Sequence, residues 1–331
     1  MTGIAIVGAG RIARNHAVAV AREPRARLVA VVDPDLAAAE ALAAEFGAQT
    51  ATTELNHGCA LEEVDAVIVC APTAKHHDIA LHAISHGKHL LVEKPLATSL
   101  VEAEEMVRAA EATGVHLMSS QTLRFMPMFE WAKNFIEAGH LGTPVQAIER
   151  RLTHRLDNFP WWKDLPNFLV AHWGSHSLDL ISYLIDDTVT TAVCDAASVV
   201  SAFGVVDDFN LQLRFSRGAR AGMHMSFTSR VPVHDILLIG QDATLEFSCY
   251  RAVSVNGETA FELPEEAMVE AAFAAEVTNL LDAMEGIAEL RSSGRSVLVS
   301  YAALDAAERS IATGQVEHAR PTSARATARP S

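Results

Sequence analysis

Over roughly the first 120 residues, short apolar runs alternate with longer stretches of helical periodicity. Gly3 to Val7, Leu28 to Val32, Ala66 to Cys70, Leu90 to Val92 and Val115 to Ser119 are nearly continuous in apolar side chains, the pattern of strands covered on both faces. Between them, Ile12 to Ala21, Leu36 to Phe46, Lys75 to Ser85 and Leu100 to Ala112 place apolar residues three and four apart. Gly47, Gly87 and Gly114 stand where three of these helices should stop. This alternation predicts an α/β domain, a parallel sheet with helices packed on it.

Beyond that point the rhythm changes. A helix near Met128 to Ala138, a strand near Val145 to Leu152 and a helix near His172 to Leu184 precede a succession of strands. Val189 to Val199, Phe209 to Phe215, Ala219 to Phe227, Asp235 to Ile239 and Thr244 to Phe247 follow one another without intervening helices, which favours antiparallel neighbours. Pro264 to Leu290 and Val297 to Thr313 then read as helices. The expected organisation is a first domain over residues 1–120, an α+β domain with a mainly antiparallel open sheet over 121–317, and a frayed tail over 318–331.

Composition narrows the possible partners. A chain of 331 residues, half of them apolar, is long enough for two cores. No stretch approaches the ~18 uninterrupted apolar residues of a membrane span. Its 26 Lys plus Arg stand against 41 Asp plus Glu, and a net charge of -15 opposes attraction to nucleic acid or anionic lipid. Cys59, Cys70, Cys194 and Cys249 lie far apart and form no C-x-x-C pair, so ordinary buried thiols are expected. Met1 to Ile4 enters an apolar run at once, leaving no room for a secretion signal, and a cytoplasmic location is expected.

The first chemical signal is Gly8-Ala9-Gly10-Arg11-Ile12-Ala13, set between a predicted strand and a predicted helix. In a dinucleotide turn, Gly8 permits the tight bend, Gly10 lets the backbone approach the pyrophosphate, and Ala13 keeps the helix close to the strand. The helix start, with Arg11 and Ile12, would hold the anion, and the plain alternative is an ordinary strand-to-helix turn. Asp33 ends the second strand about 20 residues on, where a carboxylate can hydrogen-bond ribose hydroxyls. Pro34 to Ala38 offer no Arg or Lys for a ribose phosphate, so NAD is favoured over NADP. A helix-capping carboxylate is the alternative reading of Asp33.

Gly87 to Pro95 forms an apolar strand ending in Glu93-Lys94-Pro95. With the glycine turn, and with Ala71-Pro72-Thr73 followed by His76, it resembles the glucose-fructose oxidoreductase, inositol dehydrogenase and MocA family of two-domain dehydrogenases. Gln121 to Pro127, with Arg124 and Phe125, and the stretch Phe273 to Met284 resemble later family segments. The resemblance implies a Rossmann domain in which Ala71, Pro72, Thr73, His76, Glu93, Lys94 and Gln121 join the glycines and Asp33 around the cofactor. It also implies that Lys94 sits beside the nicotinamide and the substrate hydroxyl. Partly out of water and near a cationic ring, such a lysine can exchange a proton near neutral pH. A surface lysine at a strand end is the plain alternative.

In the second domain the family carries Asp, His and Asp at four- and then three-residue spacing; here the positions are His172, His176 and Asp179. On an α-helix that spacing lines one face. His176 suits a general base, His172 and Asp179 a substrate contact. A metal pair at His172 and His176 would need further ligands that the sequence does not clearly supply, and histidines satisfied in a core are the other reading. The paired histidines, Arg124-Phe125 and Met225-Ser226-Phe227 also resemble the 4-carboxy-2-hydroxymuconate semialdehyde dehydrogenase branch. For carboxylated substrates, Arg124, Arg150, Arg151 and His154 would be carboxylate partners. The intact Glu93-Lys94-Pro95 points instead toward sugar and cyclitol dehydrogenases. Trp162, within Trp161-Trp162-Lys163, could stack on a sugar ring or pack an interface.

The expected activity is hydride transfer between nicotinamide and a secondary alcohol or cyclic hemiacetal of a small molecule. The rivals are a hydrolase or lyase that keeps NAD bound and uses it internally, and a non-catalytic dinucleotide sensor. A homodimer or homotetramer is implied by the resemblance.

Overall fold

The computed structural model describes residues 1–154, 167–200, 204–248 and 250–322. Chain packing divides it into two compact units, Met1–Phe125 with Val269–Leu298, and Met126–Met268 with Val299–Ser331.

The first unit opens with β1 (Thr2–Val7), α1 (Arg11–Arg22), β2 (Ala26–Val32), α2 (Leu36–Phe46), β3 (Thr50–Thr52) and α3 (Leu55–Ala60). It continues through β4 (Ala66–Val69), α4 (His76–Ser85), β5 (His89–Glu93), α5 (Leu100–Thr113) and β6 (Leu117–Ser120). Its six strands lie in the order β3-β2-β1-β4-β5-β6, and every pair is parallel. That order places a topological switch between β1 and β4, where the C-terminal strand ends open a crevice for a ligand. Ile4, Ile6, Val31, Ile68, Leu91 and Val92 are at most 3% exposed, which explains the unbroken apolar runs. β3 and α3 escape the pattern analysis because three residues and six residues are too short to show a period.

The second unit contains α6 (Pro127–Glu137), β7 (Pro144–His154), α7 (Ser175–Ile185), β8 (Val189–Ala197), β9 (Asp208–Phe215), β10 (Arg220–Ser226) and β11 (Thr228–Gly240). β12 (Thr244–Ser248), β13 (Ala252–Val255) and β14 (Glu258–Glu262) follow; α8 (Glu265–Met284) begins in this unit and continues in the first, α9 (Gly294–Thr313) begins in the first and continues in this one, and β15 (Glu317–His318) comes last. The nine-stranded sheet runs β14-β13-β12-β11-β7-β10-β9-β8-β15. All its pairs are antiparallel except β7 with β10. β7 therefore lies inside the sheet, between β10 and β11. β13 and β14 were not anticipated, since polar residues alternate weakly through Glu258–Glu262 and most of that strand is exposed.

The contiguous division expected at residue 120 differs from the packing, and the tail expected to fray from residue 318 starts in β15, with Ala319 N–H donating to the Thr190 carbonyl at 3.0 Å. Val269–Leu298, expected in the second domain, belongs to the first unit. In that unit Arg25 pairs with Asp282, and Ser119 N–H donates to the Ser292 carbonyl at 2.9 Å. These contacts join positions more than 170 residues apart, so periodicity within a window cannot report them. The helix expected over Pro264 to Leu290 stops at Met284. No helix among the described residues is long and apolar enough to cross a membrane.

Candidate active site

At the end of β1 the chain turns through Gly8 at φ +99°, and a Cβ added there would lie 2.7 Å from the Cys70 carbonyl carbon, so only glycine fits. At Gly10 the opposite holds, because an added Cβ would meet nothing within 4 Å. Gly10 is the N-cap of α1; it brings no capping side chain, and no acidic residue occupies the first turn. The result is a helix start whose first N–H groups have no capping side chain among the described residues, with exposed Arg11 and half-buried Ile12 beside it and open space at Gly10. Ala13 is fully buried. Asp33 accepts the Ala9 N–H at 2.7 Å and the Asp35 N–H at 2.8 Å, so this carboxylate pins the glycine turn to the end of β2. The capping role considered for Asp33 belongs to Asp35, which accepts from Ala37 and Ala38 at the start of α2.

At the end of β5, Glu93 is 7% exposed and accepts from His16 Nε2 at 2.8 Å, from Ser120 Oγ at 3.2 Å and from the Lys94 N–H at 3.1 Å. Burial pushes this carboxyl upward, but the bond and charge of His16 and the neighbouring Lys94 outweigh it and hold Glu93 below the usual carboxylate range. Lys94 itself is half-buried, and its peptide bond to Pro95 is cis. Gln121, past the end of β6, is 2% exposed; its Oε1 has no hydrogen-bond partner among the described residues. An orphaned buried acceptor, an uncapped helix start and open space at Gly10 together fit a dinucleotide with a hydrogen-bond donor at one end and an anionic bridge.

In the second unit, His172 lies in a π-helical stretch, Leu169–Gly174, that runs directly into α7. The π turn widens the helix locally, so His172 and His176 do not keep the α-helical register that their spacing implies. Both rings are half-buried, and Phe168 stacks on His172 with centroids 5.1 Å apart. Beneath them β7 points Ala147, Glu149 and Arg151 to one face, while Arg150 takes the other. Ser177 donates to Glu149 Oε1 at 2.7 Å, and burial pushes the Glu149 carboxyl up to about 7. The Arg151 guanidinium lies 4.0 Å above the Trp173 ring and 5.8 Å from the Tyr250 ring. His234, edge-on to Tyr250, is pushed down to about 3 by burial and by Arg151.

The sequence matches the profile of an oxidoreductase family with an NAD-binding Rossmann fold over residues 2–121 and that of the GFO/IDH/MocA C-terminal domain over 129–246. It is 31% identical over 244 residues to scyllo-inositol 2-dehydrogenase (NAD(+)) of Bacillus subtilis strain 168, covering 70% of this chain and 69% of that protein. The chain belongs to the Gfo/Idh/MocA oxidoreductase family. It is also 29% identical over 235 residues to 4-carboxy-2-hydroxymuconate-6-semialdehyde dehydrogenase of Sphingobium sp. strain SYK-6, covering 70% of this chain and 73% of that one. The solved structure of GenD2 from gentamicin A biosynthesis, in complex with NAD, superposes with a TM-score of 0.86 at 23% identity, covering 97% of each chain. At that identity the likeness concerns the fold.

Within this Gfo/Idh/MocA oxidoreductase, the structure redistributes the residues picked out by sequence. The glycine turn, Asp33, Ala71, Thr73, Glu93, Lys94 and Gln121 gather at the C-terminal ends of the parallel strands, with Pro72 exposed beside them. His76 does not present a nitrogen to a ligand. It is 1% exposed, and its ring nitrogens face the Pro95 carbonyl at 2.8 Å and the Ala71 carbonyl at 2.7 Å, tying two strand-end loops together. Arg124, expected as a carboxylate partner, is 4% exposed and donates to the Arg291 carbonyl at 2.8 Å and to Ser296 Oγ at 3.1 Å. Its charge braces the first unit internally. Asp179 is turned inward, 1% exposed, with Ser300 Oγ donating at 3.3 Å, in place of the substrate contact expected of it. Arg150 pairs with Asp235 on the exposed side of β7 and β11, and His154 is exposed at the strand end. Trp162 and Cys249 lie outside the described residues.

Sequence reasoning missed Glu149, His234, Tyr250, His16, Ser120 and Glu276. A signal was present for Glu149, since strand alternation puts it on the same side as Ala147 and Arg151. The others meet their partners only across the fold.

Proposed function

We propose that this chain oxidises a secondary alcohol or cyclic hemiacetal bearing a carboxylate, or reduces the corresponding carbonyl, using NAD. The observation that carries the carboxylate is Arg151. Among the described residues it is the half-buried arginine whose guanidinium has aromatic faces for neighbours and no hydrogen-bonded or ion-paired partner. Five N–H donors held between rings, a few ångströms from the histidine-bearing turn, suit a planar anion. Burial and Arg151 hold His234 neutral near neutral pH, so its ring adds no competing cation beside Arg151. The relative from Sphingobium acts, by its name, on a carboxylated compound, which supports the same substrate class.

Bound NAD would supply the hydride acceptor, or as NADH the donor. Gly8, Gly10 and the start of α1 would take the pyrophosphate, Asp33 the adenosine ribose and Gln121 a donor at the other end. In oxidation the carbinol carbon loses hydride and the hydroxyl proton passes to a base. Lys94 and His176 are the residues assigned to that proton, and His172 orients the substrate. A homodimer or homotetramer belongs to the same reading and is checked by sedimentation velocity.

The test is NADH absorbance across matched pairs of aldonic or uronic acids and their neutral sugars and cyclitols. The acids should give the higher kcat/KM, and Arg151→Met should cost them about 10- to 100-fold while leaving neutral substrates within about threefold. Equal use of acids and neutral analogues, unchanged by Arg151→Met, would remove the carboxylate assignment.

A further inference from the structure

Ser120 Oγ, at the end of β6, lies between two buried carboxyl groups of the first unit. It is 3.2 Å from Glu93 Oε1 and 3.1 and 3.0 Å from Glu276 Oε1 and Oε2. Ser120 and Glu276 are fully buried. A serine hydroxyl has one hydrogen, so it donates once and accepts in its other contacts. With both carboxyls ionised, one of these contacts would set lone pair against lone pair, and two like charges would share a site without water. One carboxyl therefore carries a proton.

The partners decide which. Glu93 faces His16 Nε2 at 2.8 Å and the Lys94 peptide N–H at 3.1 Å, and a peptide N–H can only donate. Glu276 faces the hydroxyls of Ser120 and Thr122, which accept as readily as they donate. The other ionisable neighbours among the described residues are the Lys94 ammonium and His76, both coupled to Glu93, and Cys70, whose thiol is pushed up by desolvation and then by Glu93 and Glu276. Burial, and then the Glu93 charge, likewise hold the Glu276 carboxyl well above its usual range.

We propose that Glu276 is a positioning residue for Lys94: as a neutral acid it donates to Ser120 Oγ, Ser120 turns its single hydrogen to Glu93, and the ionised Glu93 holds the Lys94 peptide N–H. The chain of bonds crosses from α8 through β6 to β5. A leucine would fill the same volume, so a core role alone does not call for an acid.

Infrared difference spectra of wild type against Glu276→Gln at neutral pH test the proton directly and need no substrate. The carbonyl band of a protonated acid should be present in wild type and missing from the variant. A difference confined to carboxylate bands overturns the proposal. Glu276→Gln can donate through its amide, so its kcat on the best substrate of the NADH screen should stay within about threefold. Glu276→Leu and Ser120→Ala should lower kcat by roughly 10- to 100-fold, with NADH affinity by fluorescence titration within about threefold. Should Glu276→Leu not fold, Ser120→Ala carries the kinetic comparison. Wild-type kcat in Ser120→Ala, or failure of Glu276→Gln to fold, counts against the proposal.

Discussion

His16 Nε2 and Glu93 Oε1 lie 2.8 Å apart, the imidazole wholly buried and the carboxylate nearly so. One residue belongs to the helix that follows the glycine turn and the other to the strand end that carries Lys94, so a single bond couples the glycine turn to that strand end. Removing the imidazole leaves a buried carboxylate short of a donor, and His16→Phe should destabilise the chain by ~3 kcal/mol. Glu93 titrates below its unfolded value, so its contribution is present above the ordinary carboxylate range and is lost as pH falls through the folded value. Urea unfolding at descending pH should show that acid-side loss in wild type and much less of it in His16→Phe.

Gly8 and Gly10 should separate folding from binding. Gly8→Ala places a Cβ against the backbone of Cys70 at a left-handed φ and should lower the thermal midpoint. Gly10→Ala meets open space, so the midpoint should hold, while NADH affinity should fall by at least about tenfold because the methyl occupies the approach of the bridge. Unchanged NADH binding in Gly10→Ala would show that the dinucleotide does not cross this turn.

Lys94→Ala should leave NADH affinity within about threefold and reduce turnover by roughly 10² or more, the size of a lost general acid or base. Stopped-flow hydride transfer together with equilibrium titration distinguishes the two effects. Turnover at the wild-type rate would remove Lys94 from the chemistry.

Glu149 makes an alkaline-side prediction. Its folded value of about 7 lies above the ordinary 4.5, so its burial costs nothing below the ordinary value and progressively more as pH rises to about 7. That gap converts to ~3 kcal/mol at most. Glu149→Gln keeps an acceptor for Ser177 and should match wild type at pH near 4.5, then exceed it in stability by up to ~3 kcal/mol at about pH 8. Parallel stability curves for the two proteins across that range would contradict the assignment.

Much of the first unit was legible because buried parallel strands and their helices write local, repeated signals. The runs ending at Val7, Val32 and Glu93 announce strands, and Gly8, Gly10 and Asp33 announce what sits at their ends. The helical spacing of His172, His176 and Asp179 was legible too, yet it misled. Burial turned Asp179 toward Ser300, and a π turn altered the register at His172. Arg124 and His76 misled for a related reason: a polar residue in a motif looks like a ligand contact until its own protein partners are seen.

By itself the sequence determined the alternation of strands and helices, the conformational demands met by Gly8, and the kind of chemistry that Lys94 and the histidines can perform. These follow from steric limits and side-chain chemistry, which act within a few residues. Only the tertiary structure decided which charges are buried and paired. It separated Arg151 from Arg150, committed Arg124 and His76 to backbone carbonyls, and brought Glu276 to Ser120 across 156 positions of chain. A proton's location or a cation's availability depends on desolvation and on neighbours within a few ångströms, and those neighbours are chosen by folding.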